Sequence, residues 1–177
     1  MLYLFLADGF EETEAIATLD VLRRGNIKTK LVGVTGDFVT GTHDIIIRAD
    51  ADDVDYDDID GVILPGGMPG TLKLQKSDLV NKAIKYCMDN DKLVAAICAA
   101  PMIIGELGYL EGKKAVCFPG FEDSLIDADI MSDGVVRDGN IITAMGAGKA
   151  LEFGAAIVDY VSGKDGKGAK ILKKMMF

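Results

Sequence analysis

The chain has 177 residues, 49% of them hydrophobic and 27% charged, with a formal net charge of −9 from 28 acidic and 19 basic residues. That length buries a continuous core, and that composition is typical of soluble globular proteins. The charge argues against a general binder of nucleic acid or anionic membrane, because phosphate contact is made mostly by Lys and Arg.

The basic stretch from Lys164 to Lys174 alternates lysines with apolar residues, so it reads as the solvated side of a C-terminal helix. Cys87, Cys98 and Cys117 are sparse and odd in number, with no CxxC spacing. They form neither a disulfide framework nor a zinc site, and they suit a reducing compartment. Leu2 to Ala7 meets Asp8 at once, lacks a basic leader and is too short for a signal or membrane segment. The expectation is one cytoplasmic domain over residues 1–177.

Taken in order, Leu2 to Ala7 reads as a central strand, apolar on both faces. Asp8-Gly9-Phe10 is a turn, and Glu11 to Arg24 is a helix with Ile16, Leu19 and Leu22 inward and Gly25-Asn26 as its stop. Thr29 to Val34 is a second strand, and Thr40 to Ile47 holds a hairpin arm or an edge strand. Asp50 to Asp60 fails the calcium-loop pattern, because Tyr56 occupies the first ligand position, and it reads as a solvated loop or short helix. Val62 to Leu64 is a short strand running into Pro65-Gly66-Gly67. Leu79 to Met88 is helical, with Leu79, Ala83, Ile84 and Cys87 on one stripe, and Lys92 to Ile97 is the strand beneath Cys98. Ala115 to Phe118 and Ile141 to Met145 read as strands, with shorter pieces near Ile130 and Val135-Val136. Gly146 to Val161 is a long helix burying Leu151, Ala155 and Val158. Gly146-Ala147-Gly148-Lys149-Ala150 looks like a phosphate loop but lacks the first glycine and the final hydroxyl. The alternation of strands and helices predicts an α/β sandwich with a largely parallel sheet.

The stretch richest in chemistry is Val94 to Pro101: an apolar strand ends at Cys98, two alanines follow, and Pro101 opens a helix. Such a turn leaves the thiol uncovered at a helix N-terminus, where the dipole favours thiolate. The alternative is a buried cysteine acting as a small hydrophobe, and this segment alone does not choose between them. In parallel sheets, sites form beyond the carboxyl ends of the strands, and three turns land there: Asp8 to Glu14, Pro65-Gly66-Gly67, and Cys98-Ala99. The N–H groups of Gly67 and Ala99 are in place to stabilise an oxyanion, although a Gly-Gly pair alone is more simply a tight turn. Glu11, Glu12 and Glu14 are ordinary first-turn acids on dipole grounds. Glu14, one turn on from Glu11, also reaches the strand ends, and a carboxyl pressed against Cys98 away from water has a raised pKa and passes protons.

Asp8-Gly9-Phe10-Glu11-Glu12-Thr13-Glu14, Leu64-Pro65-Gly66-Gly67 and Ala96-Ile97-Cys98-Ala99-Ala100-Pro101 together resemble the ThiJ/PfpI superfamily. The branch looks like that of the parkinsonism-associated deglycase and its bacterial ThiJ relatives, and the likeness covers essentially the whole chain. It implies a flavodoxin-like (Rossmann-like) three-layer sandwich of the class I glutamine amidotransferase type and a homodimer. It also implies a nucleophilic Cys98 partnered by Glu14, with Gly67 and Ala99 as oxyanion donors and Gly66 beside them. Family chemistry is of the glyoxalase or deglycase kind on methylglyoxal-like aldehydes or their adducts, with no cofactor or metal, alongside oxidative-stress protection and chaperone activity. Three departures matter. Ala99 stands where protease and heat-shock branches carry histidine, which disfavours proteolysis. The only histidine is His43, so the late His-x-Glu of glutamine hydrolysis is missing. Phe118 replaces the pocket histidine of the human-type branch, and His43 falls where several members carry an arginine near the pocket or dimer interface.

Two functions follow: a cysteine-dependent enzyme on 2-oxoaldehydes, and a cysteine-based redox sensor or redox-regulated chaperone. A dimeric α/β protein with an unidentified ligand is the third possibility.

Overall fold

The computed structural model describes residues 1–132 and 134–177. In chain order it contains β1 (Leu2–Leu6), α1 (Glu12–Arg24), β2 (Thr29–Gly33), β3 (Phe38–Thr40), β4 (Ile46–Arg48), β5 (Gly61–Leu64), α2 (Gly70–Gln75), α3 (Asp78–Asp89) and β6 (Leu93–Ile97). There follow α4 (Pro101–Glu106), β7 (Lys114–Ala115), β8 (Asp129–Ile130), β9 (Val135–Asp138), β10 (Ile141–Ala144), α5 (Ala150–Ser162) and α6 (Lys167–Lys174).

Strands apolar on both faces must be covered on both faces, and β1, β5 and β6 are buried at every position. They sit mid-sheet in the order β2-β1-β5-β6-β10-β9. All pairings are parallel except β9 against β10. Counting only the five parallel strands gives the order 2-1-3-4-5, that of flavodoxin-like sheets. Period-2 alternation divides the core in two. Tyr3, Phe5 and Ala7 pack with Val80, Ala83, Ile84 and Cys87 of α3 and with α4. Leu2, Leu4 and Leu6 pack on the other face with Leu19 and Leu22 of α1 and Phe153, Ile157 and Val158 of α5. The result is three layers.

Glu11 caps α1 by accepting the Glu14 N–H at 2.6 Å, and Ser77 caps α3. After α1 the left-handed residue is Asn26 (φ 59°), not Gly25. Helices α1 and α5 approach closely because Gly154 has no side chain: a Cβ there would lie 2.9 Å from Val21 Cβ.

Several expectations change in detail. Ile16 is exposed, because the inward stripe of α1 is Ala15, Thr18, Leu19 and Leu22. Leu79 is only half-buried while Val80 is fully covered, and Leu151 is half-buried. Ala115 to Phe118 is not a sheet strand: β7 is two residues long and pairs with β8 apart from the main sheet. The helix expected from Gly146 begins as an extended glycine and a 3-10 turn over Ala147–Lys149. Helix α2, unforeseen, starts three residues after Gly67. The Asp50 to Asp60 stretch is a loop, tied to β2 where the Leu31 N–H donates to Asp50 Oδ2 at 3.0 Å.

Candidate active site

The flavodoxin-like order places a crevice where the connections from β1 and β5 leave in opposite directions. The two turns above those strands touch there, with the Glu11 N–H donating to the Gly66 carbonyl at 2.9 Å. The third turn joins them from β6.

Cys98 ends β6 with φ at +65°, a left-handed conformation that costs a non-glycine residue about 1 to 3 kcal/mol. It is held there from both sides. Its N–H donates to the Ala144 carbonyl at 2.9 Å, and its carbonyl accepts the Phe118 N–H at 2.8 Å. A strand-to-helix turn of this kind presents the side chain sharply above the sheet. Cys98 is partly exposed, whereas Cys87 and Cys117 are buried.

Glu14 is 1% exposed, an unusual position for a carboxyl. Its Oε2 accepts the Gly66 N–H at 2.7 Å, while Oε1 has no conventional hydrogen-bond partner. The polar group coupled to the carboxyl is the Cys98 thiol. Burial pushes Glu14 up to about 7, against the hydrogen bonds from Cys98 and Gly66 that favour its charge. Gly66 is wedged between the two: a Cβ there would lie 2.7 Å from Cys98 Cβ and 2.8 Å from Glu14 Oε2. Gly67 has φ +92°, and the backbone N–H groups of Gly67 and Ala99 favour the charged form of the Cys98 sulfur.

The helix dipole does not govern the thiol. Burial, then the Glu14 charge and hydrogen bond, push Cys98 up to about 12, and the Ala99 and Gly67 N–H groups only partly oppose this. Helix α4 is six residues long, too short for a strong dipole. The physical unit is the pair: above about pH 7 it carries one negative charge and one proton, so the sulfur ionises when that proton sits on Glu14.

His43 belongs to a neighbouring cluster. Its ring Nδ1 lies 2.9 Å from Glu12 Oε2, its N–H donates to Glu12 Oε1 at 2.6 Å, and the Thr42 hydroxyl donates to Oε2 at 2.9 Å. Burial would raise Glu12, but these hydrogen bonds outweigh it and draw the carboxyl down to about 2. The Glu12 contact raises the exposed His43 in turn. Glu11, Glu12 and His43 are the group of potential metal ligands that converges among the described residues, within 4.8 Å. Glu12 already spends both its oxygens on the hairpin turn.

Phe118 lines a cavity of about 460 Å³ with Pro119, Met145, Gly146, Ala147 and Gly148. That is within the range of small-molecule sites. Sequence reasoning had set Gly146-Ala147-Gly148 aside as a failed phosphate loop. Its position after the apolar run Ile141 to Ala144 was the signal that it reaches the strand ends.

A family model for DJ-1/PfpI matches residues 1–160. The chain belongs to the DJ-1/PfpI family. Protein dj-1beta of Drosophila melanogaster is 37% identical over 165 residues, covering 90% of this chain and 88% of that protein. The glutathione-independent glyoxalase DJR-1.2 of Caenorhabditis elegans is 30% identical over 159 residues, covering 88% and 84%. The crystal structure of Drosophila melanogaster DJ-1beta superposes with a TM-score of 0.88 at 33% identity, covering 99% of this chain and 96% of that one. The three-layer sandwich with its mostly parallel sheet is thus the DJ-1/PfpI fold.

Proposed function

We propose that this DJ-1/PfpI protein is a cysteine-dependent glyoxalase or deglycase acting on methylglyoxal-like 2-oxoaldehydes or their adducts. The observation that carries this reading is the juxtaposition of Cys98 and the buried Glu14 across Gly66, where an added Cβ would lie 2.7 Å from Cys98 Cβ and 2.8 Å from Glu14 Oε2. The Cys98 proton passes to the Glu14 carboxylate as the sulfur attacks the aldehyde carbon. The oxygen becomes an alkoxide, steadied by the Gly67 and Ala99 N–H groups, and takes a proton to give a hemithioacetal. Glu14 then removes the hydrogen of that carbon and, through an enediol, a proton is returned to the neighbouring carbon. The product is a thioester of the 2-hydroxy acid. Water cleaves it, releasing lactate from methylglyoxal or glycolate from glyoxal and restoring the thiol. The sum is aldehyde plus water to hydroxy acid, with no external oxidant. A relative spanning most of the chain, DJR-1.2, is a glutathione-independent glyoxalase, which supports the assignment.

The test is lactate formation from methylglyoxal by wild type and Cys98→Ala in parallel. Lactate from the wild type alone is the expected result. Lactate from neither, or equally from both, would overturn the assignment.

A second reading, redox sensing, is favoured by one fact: among the three cysteines only Cys98 is partly exposed. Two equivalents of peroxide would carry it through sulfenate to sulfinate, releasing two waters. Intact-mass analysis should then find two oxygens on Cys98 before any on Cys87 or Cys117. A homodimer is part of the proposal. Phe38 and Ile46 lie on the outward face of the β3–β4 hairpin at 66% and 62% exposure. Exposed Ile16 stands one turn from Glu12, which binds that hairpin, and a second copy is proposed to cover these apolar side chains. The protein is further proposed to be cytoplasmic; no helix among the described residues is long and apolar enough to cross a membrane.

A further inference from the structure

The cavity bounded by Phe118 is flanked by two residues hydrogen-bonded to the nucleophile's backbone. One wall starts at Phe118, whose N–H donates to the Cys98 carbonyl, and the other follows Ala144, whose carbonyl accepts the Cys98 N–H. The lining includes the extended Gly146, with φ at 167°, a conformation open to any residue. What asks for glycine there is the ring: a Cβ on Gly146 would sit 3.3 Å from Phe118 Cδ2. The charged residue in the lining, Lys149, directs its ammonium to Glu152 at 3.1 Å. The remaining surface is an aromatic face, a proline ring, a thioether and glycine or alanine backbone, which is a surface for flat apolar groups.

We propose that Phe118, Pro119, Met145 and the Gly146-Ala147-Gly148 turn form an aryl-accepting subsite, making phenylglyoxal-type 2-oxoaldehydes better substrates than methylglyoxal. The subsite rests on the cysteine–aldehyde reading above. The aldehyde carbon bonds to Cys98 while the ketone substituent lies against Phe118. The chemistry is unchanged and balanced: phenylglyoxal plus water gives mandelate through the same thioester. Phe118 is then a specificity residue.

The experiment compares kcat/KM for phenylglyoxal (mandelate formed) and methylglyoxal (lactate formed) in wild type, Phe118→Ala and Gly148→Leu. Phe118 is 47% exposed, so its truncation leaves the core intact. Gly148 lines the cavity with nothing within 4 Å of an added Cβ, so a leucine there adds bulk to the lining without a backbone clash at its first carbon. An apolar group in a fitted pocket is worth about 10- to 200-fold in kcat/KM. The phenylglyoxal-to-methylglyoxal ratio should therefore fall about tenfold in each variant. Lactate formation with a ratio unchanged in both variants overturns the subsite and leaves the enzyme reading standing. No lactate and no mandelate from wild type overturns both.

Discussion

Replacing Glu14 by glutamine isolates the group on which the site's electrostatics turn. Glutamine keeps an oxygen for the Gly66 N–H and nearly the same volume, and loses only the titrating proton. In the native protein Glu14 is raised from 4.5 to about 7, with burial as the first cause, and it is 1% exposed, so solvent screening takes little away. A carboxyl raised in the folded state contributes stability that is complete below its unfolded pKa and disappears as pH climbs through its folded pKa. The window here runs from about pH 4.5 to about pH 7, and the difference is worth about 3 kcal/mol. Urea unfolding of wild type and Glu14→Gln at pH 4.5 and pH 8.5 reads this, because the titrating groups outside the Cys98–Glu14 pair are shared. Wild type should lose about 3 kcal/mol more than the variant between the two conditions. Parallel losses, equal to within about 1 kcal/mol, would refute the raised carboxyl and the one-proton pair with it.

Three further outcomes are expected. Gly66→Ala drives a methyl between Cys98 and Glu14, so lactate formation should fall at least about tenfold and unfolding free energy by about 1 to 3 kcal/mol. Unchanged activity would mean the two groups need not touch. Glu12→Ala removes the acceptor of the His43 and Thr42 donors and should cost about 1 to 3 kcal/mol, with faster amide exchange over Gly41 to Asp44. Because Glu12 is drawn down to about 2, its contribution is present above about pH 4.5 and fades as pH falls through about 2. If the proposed homodimer forms through the hairpin, wild type should be dimeric in light scattering and Ile46→Asp, which puts a charge on the outward hairpin face, monomeric. A variant that stays dimeric would place the interface elsewhere.

What was legible in the sequence follows how local each cause is. Leu2 to Leu6 and Leu93 to Ile97 announce buried parallel strands because both faces are apolar, and the five-strand parallel order follows from placing helices between such runs. Helix α2 was hidden because Gly70 and Thr71 are poor helix formers, and its place is fixed by tertiary contact with the Gly9 turn. Ala115 to Phe118 looked like a strand because it is apolar. Ala115 to Cys117 are instead buried beside β10, where the Val116 N–H donates to Thr143 Oγ1 at 3.0 Å, and Phe118 is left half-exposed. Cys98, Glu14 and the glycine pair were findable as three turns at strand ends. The role of Glu12 as the acceptor for the hairpin was not, since it depends on β3 and β4 folding back onto α1.

The thiol is the most instructive divergence. Read along the chain, Cys98 faces only a helix start, and a positive dipole is the nearest field. In three dimensions the nearest charge is Glu14, brought from 84 positions earlier in the chain to share the wedge left by Gly66. A low-pKa thiolate and a buried carboxylate cannot both be charged in that space, so one proton must remain. The same constraint serves the chemistry proposed for the site. A proton parked on Glu14 whenever the sulfur is ionised is already in place for transfer to the oxygen that forms on attack. With no second base acting on the thiol among the described residues, that carboxyl has to both donate and accept. Its position near pH 7 is the value at which a single group does both, so kcat/KM for the aldehyde should rise and level across that pH and lose this dependence in Glu14→Gln.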